Sequence, residues 1–98
     1  MNIVAKITQQ GNQWQVVGDV LIDNASSLLA QTSLFNINED IVVDLSAVTD
    51  VDTSALSLML EWQRRVTALN HKILFQHVPL NLMSLAGLYG VTYFISVQ

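Results

Sequence analysis

The segment Ile41-Val-Val-Asp-Leu45 is a short, almost unbroken run of β-branched and aliphatic residues, and a helical period follows it. Such a run is the pattern of a strand covered on both faces, as strands are in parallel or mixed sheets. From about Thr53 to Leu69 apolar residues return every three or four positions; Asn70-His71 then turns the chain into a second buried strand, Lys72-Ile-Leu-Phe-Gln-His77. Strand, helix, strand in that order requires a crossover between parallel neighbours, and such crossovers are right-handed. The first strand of this unit should therefore be central in its sheet.

The flanking segments extend the same layered plan. Ile3, Ala5 and Ile7 alternate with Val4, Lys6 and Thr8, and Gly11-Asn12 separates them from Trp14-Gln-Val-Val-Gly-Asp-Val20, which reads as a β-hairpin. Asp23 or Asn24 can cap a helix through about Gln31, with Ala25, Leu28, Leu29 and Leu34 as its apolar stripe. Pro79 suits the first turn of a third helix through Leu82, Met83, Leu85 and Ala86, ending near Gly87 or Gly90, and Tyr93-Phe-Ile-Ser-Val97 reads as a last strand. The order ββαβαβαβ, without linker or repeat, predicts one α/β domain over residues 1–98 with a mixed, mostly parallel sheet.

Composition narrows the partners. The 98 residues are 51% hydrophobic and only 12% charged, about half the usual charged share, so part of the surface is expected to be covered by another subunit. With a net charge of −4 and only Lys6, Arg64, Arg65 and Lys72 as cations, the chain lacks the basic footprint that nucleic acid or an anionic lipid surface requires. No cysteine means no disulfide, no thiolate zinc site and no cysteine nucleophile, which fits a reducing compartment. Val78 to Gln98 carries no charge and is long enough to span a bilayer, but Pro79, Asn81, Ser84, Gly87, Gly90, Thr92 and Ser96 interrupt it and no basic cluster anchors it. Neither a membrane span nor a signal leader is expected.

Between strand and long helix lies Val43-Asp-Leu-Ser-Ala-Val-Thr-Asp-Val-Asp-Thr-Ser-Ala-Leu56, which passes acids and then places adjacent hydroxyls at the start of an apolar helix. At 100° per residue, Ala55, Leu58, Met59, Trp62, Val66 and Leu69 share a face that should pack on the sheet. Leu56 and Leu60 point away from the centre of that face, with Thr53 beside Leu60 and Gln63, Arg64 and Thr67 on the same flank. The stripe either packs on a neighbouring helix or docks a partner, and the low charge favours docking through at least some of Thr53, Leu56, Leu60 and Arg64. Asp52 is placed to cap the helix, a role worth ~1 kcal/mol. A phosphate on Thr53 or Ser54 would meet the helix macrodipole favourably and Asp50 and Asp52 unfavourably, so a phosphorylation switch stays open.

Other chemistry finds no support. Asp44, Asp50 and Asp52 suggest a Mg²⁺ site, yet Asp44 lies inside the strand and turn and cap roles account for the other two. His71 and His77 lack a third ligand for zinc, and no Gly-x-Ser-x-Gly elbow precedes a helix. Gly11, Gly18, Gly87 and Gly90 form neither a phosphate loop nor a dinucleotide fingerprint. No metal, no cofactor and no enzymatic activity are expected.

The Val43 to Leu56 stretch resembles the signature of the STAS domain, the family of anti-sigma factor antagonists and of the cytoplasmic tails of sulfate transporters. Gly18-Asp19 near the end of the second strand and Ala86-Gly-Leu-Tyr-Gly90 near the end of the third helix extend the resemblance over nearly the whole chain. Among small stand-alone members it looks most like the cytoplasmic STAS subunit of the Mla phospholipid-transport complex, because Thr53 follows the Asp where antagonists usually carry Asp-Ser-Ser-Gly. Ser54 and Ala55 depart from the small glycines common there. The resemblance implies a non-enzymatic accessory subunit that binds the ATPase of an inner-membrane ABC transporter, supports its assembly or activity, and serves outer-membrane lipid asymmetry. Such a subunit would be cytoplasmic, peripheral to the inner membrane through its partner. Thr53, with Asp52 before it and the helix beginning there as docking surface, is what the resemblance carries over. The alternative it implies is an anti-sigma factor antagonist, partnered by an anti-sigma factor kinase and switched by phosphorylation at Thr53 or Ser54.

Overall fold

A computed structural model describes residues 5–92 and residue 95. The elements run β1 (Lys6–Gln10), β2 (Gln13–Val20), α1 (Ala25–Thr32), β3 (Ile41–Val51), α2 (Thr53–Ala68), β4 (Ile73–Gln76) and α3 (Leu80–Leu88). The sheet order is β1-β2-β3-β4; β1 and β2 pair antiparallel, and β3 is parallel to both its neighbours. The α/β class and mixed, mostly parallel sheet match the expectation, as does the central place of the Ile41 strand. Of the strand expected at Tyr93–Val97 only Ile95, buried in the core, is among the described residues, and the Ile3 start of the first strand lies outside them.

Hairpin register puts Ile7 opposite Val16 and Gln9 opposite Trp14. Ile7, Trp14, Val16, Val43 and Phe75 face the helices and join a single buried cluster with Leu28, Trp62, Val66, Leu82 and Ala86. One expectation fails here. β3 is covered on one face only: Val42 and Asp44 are half-buried and Ser46 is exposed, because the described helices gather over the other face. The break in the apolar run at Asp44 marks the open side, where Asp44 meets His77. β3 also continues to Val51, well past Leu45, with irregular pairing to β2 near Gly18, whose φ of +95° a side chain would strain.

α2 buries Ala55, Leu56, Leu58, Met59, Trp62 and Val66. Leu69, expected on that face, is 51% exposed. The helix has ended by then: Asn70 takes φ +65°, its amide bonds Thr67, and His71 donates back to Val66, a Schellman closure that ends the helical projection. Leu34 is likewise not part of the α1 stripe and is 87% exposed, since α1 stops at Thr32. Phe35 packs in its place, edge-on to Trp14 with ring centroids 5.3 Å apart. Asn24 precedes α1 without capping it through its side chain; the amide instead accepts from Leu21 N–H and donates to the Asp19 carbonyl, both at 2.7 Å. Pro79 occupies the cap position of α3 and Gly90 closes that helix with φ +69°.

The α1–α2 contact is polar as well as apolar. Trp62 Nε1 donates to Thr32 Oγ1 at 3.0 Å, and that hydroxyl donates to the Leu29 carbonyl at 2.7 Å. Arg65 donates to the carbonyls of Thr32, Ser33 and Phe35, satisfying acceptors that the end of α1 leaves open. Among the described residues no helix is long and apolar enough to cross a membrane.

Candidate functional site

Parallel pairing of β2 with β3 brings Val20 beside Val51, so the chain leaving β2 and the chain entering α2 meet at one end of the sheet. Asp52 joins them. Its carboxylate accepts from the Ser54 amide at 2.9 Å and from the Ser54 hydroxyl, and its other oxygen accepts from Ile22 N–H at 2.9 Å. It thus caps α2 and fixes the loop before α1. The Ser54 hydroxyl bond holds the Asp52 carboxyl below its ordinary range, with the Ile22 and Ser54 amides adding to it against the cost of partial burial.

That direction sets a pH dependence. A carboxylate whose folded pKa is depressed stabilises the fold above its unfolded value, ~3.9, and the contribution is lost as pH falls through the folded value. Asp52→Ala should therefore cost about 1 kcal/mol at pH 7. Urea unfolding at decreasing pH should show the gap from wild type narrowing in acid; a gap that stays constant would refute the capping role.

Around this start of α2 lies a groove of about 700 Å³ between α1, α2 and the segment after α3. Thr53, Ser54, Leu56 and Leu60 line it, so four of the residues singled out in the sequence are brought together. Thr53 is exposed and, among the described residues, its hydroxyl has no hydrogen-bond partner; Ser54's is held by Asp52. Leu56 is 5% exposed and belongs to the core, so it forms the groove's floor. Leu60 is half-buried and lies outside the core cluster. Arg64 does not line the groove; it pairs with Glu61 at 2.6 Å on the outer surface of α2.

Several lining residues escaped the sequence reading, two of them large and exposed. Ile22, 74% exposed, and Tyr89, 60% exposed, stand in loops after β2 and α3. A large apolar side chain set among turn residues, as Ile22 is before Asp23-Asn24, is the signal that was present. The other acids lie apart from this groove or have local roles. Asp50 accepts its neighbour Val51 N–H at 2.9 Å, and Asp44 sits on the open sheet face, 3.0 Å from His77 Nδ1. Burial acts to raise the Asp44 pKa, but the Ser46 amide and His77 outweigh it and the carboxyl lies low. Among the described residues no three such groups gather where a metal ion could be held.

Two solved structures share this architecture. A Thermotoga maritima protein provisionally described as an anti-sigma factor antagonist superposes with a TM-score of 0.74 at 11% identity, over 93% of this chain and 82% of its own. The anti-sigma factor antagonist SpoIIAA in its unphosphorylated form gives 0.66 at 13% identity, over 97% and 87%. At such identities the likeness is one of fold, and the class it defines is the STAS-type α/β domain. The sequence goes further: a family model described as "Mlab, STAS domain" matches residues 5–96, and the chain belongs to that family. No curated protein sequence matches it.

Proposed function

We propose that the chain is a non-enzymatic accessory subunit that docks, through the start of α2, on the ATPase of a phospholipid-transporting ABC complex at the cytoplasmic side of the inner membrane. The observation that carries this reading is the free Thr53 hydroxyl at the mouth of an apolar groove, on a helix start already satisfied by Asp52. A cap that needs no outside donor leaves the surface available for a partner. Membership in the MlaB-type family supports the identity of that partner.

The test is retention. An affinity-tagged chain at native expression should hold an ABC ATPase through purification and lose it when Leu60 is replaced by aspartate. Recovery of no ATPase by the intact chain sinks the proposal.

One observation favours a second reading. Thr53 is the free one of the two hydroxyls, as a phosphorylation site would need to be, and the fold is that of SpoIIAA. A phosphoryl group there would stand beside the Asp52 carboxylate, which opposes it. An adduct of about 80 Da on the protein from its native cell, with a kinase retained in place of the ATPase, would establish this second reading.

A further inference from the structure

Among the described residues β1 stands at one edge of the sheet, and side chains close its backbone where a further strand would otherwise pair. The two-residue turn at Gly11-Asn12 makes Gln10 and Gln13 a hydrogen-bonded pair, so by alternation Thr8 and Lys6 also bond to β2. The amides and carbonyls of Ile7 and Gln9 therefore point outward, where an edge strand ordinarily recruits another chain. Here α1 and the loop after it intervene. Ile7 N–H donates to Gln31 Oε1 at 3.1 Å, and Gln31 Nε2 donates one turn back to Ser27 Oγ at 3.3 Å, which orients that amide. Gln9 Nε2 donates to the Asn36 carbonyl at 2.6 Å, and its Oε1 accepts from Asn36 N–H at 3.3 Å, an exchange like that between paired strands. It holds the loop after α1 against this edge.

The strand so covered suits one occupant. β1 carries no carboxylate, so it offers an approach to a second copy of a chain whose net charge is −4. Antiparallel pairing centred on Thr8 sets Ile7 opposite Gln9 of the second copy, matching the outward donors and acceptors of both strands. It also sets Lys6 opposite Gln10 of the second copy, so that no like charges meet. Such a contact is isologous and closes as a dimer. We infer that the β1 edge is a strand-addition site for a second copy of this chain, and that Gln31 keeps it shut by occupying the Ile7 amide.

Gln31→Met and Gln31→Glu test this, because both keep the reach of the side chain and only glutamate keeps an oxygen for Ile7 N–H. Light scattering across a concentration series should show the dimer affinity of Gln31→Met at least about tenfold above wild type, the change expected when one bonded amide is released. Gln31→Glu should stay within about threefold of wild type. Gln9→Pro added to Gln31→Met should restore the monomer, because the Gln9 amide serves no hairpin bond and proline is tolerated where an edge N–H faces outward. In dilute protein, where all variants are monomeric, the Ile7 amide should exchange at least about tenfold more slowly in wild type than in Gln31→Met. Equal exchange at Ile7, Gln31→Met no more dimeric than wild type, or a dimer that survives Gln9→Pro overturns the inference. Gln31→Glu dimerising as strongly as Gln31→Met also overturns it, since shape and not the acceptor would then be what matters. Should Gln31→Met fail to fold, Gln31→Ala carries the same comparison, alanine being the residue best suited to a helix.

Discussion

Replacing Trp62 by alanine is expected to destabilise the fold by about 3–5 kcal/mol, the largest loss from any single truncation in α2. The ring is 1% exposed and meets Trp14 edge-on with centroids 6.0 Å apart. Its Nε1 also ties α2 to Thr32 at the end of α1. Truncation removes the packed area, leaves a cavity and deletes the inter-helix bond together. Since a domain of this size holds only about 5–15 kcal/mol in all, the midpoint of urea unfolding should fall steeply. Trp62→Phe separates the terms: it keeps most of the ring and forfeits the hydrogen bond, a loss of about 1 kcal/mol plus the smaller volume. Trp14 supplies the contrast, because its Nε1 is buried without a partner among the described residues. Trp14→Phe removes an unpaired donor and should cost less than Trp62→Phe. A Trp62→Ala loss below about 1.5 kcal/mol would mean that the two helices are not held together here.

What could be read in advance divides along the distance in sequence over which each feature is decided. The buried face of α2 was legible because Ala55, Leu58, Met59, Trp62 and Val66 obey a local period. Asp52 was legible because a cap reaches only to the following turn. Leu69 shows where periodicity stops informing: nothing in the spacing says that Asn70 will turn left-handed and release it. Leu56 was left open between packing and docking, and the fold puts its body in the core with its small remaining surface on the groove floor. Ile22 and Tyr89 could not be placed beside Thr53 from sequence, since their approach depends on β2–β3 pairing and on how α3 terminates. Arg65 illustrates the same limit. Counted only as one of few cations, it turns out to close the end of α1 from more than thirty residues away. Projection placed Arg64 on the Thr53 flank, but three turns along the helix it faces outward to Glu61.

Leu60→Asp should abolish partner binding, by at least about thirtyfold, while leaving the fold intact. The two effects separate at this residue and not at its neighbour. Leu56 is part of the buried cluster, so a carboxylate there would be desolvated in the free protein and loss of binding would report only unfolding. Leu60 lines the groove without joining the cluster, so aspartate there stays hydrated until a partner covers it. Chemical denaturation should place Leu60→Asp within about 1 kcal/mol of wild type, the range expected of a helix-propensity change on a surface. Should the variant unfold, Leu60 supports the core and the groove is a packing defect; should it bind normally, the partner sits elsewhere. Thr53→Val completes the argument because it keeps the shape and removes the hydroxyl. If Thr53 acts by fit alone, binding persists within about twofold and the protein's mass never changes in the cell. If the hydroxyl is a switch, Thr53→Val still binds but no longer responds to the conditions that modify wild type, and only that comparison distinguishes a contact from a modification site.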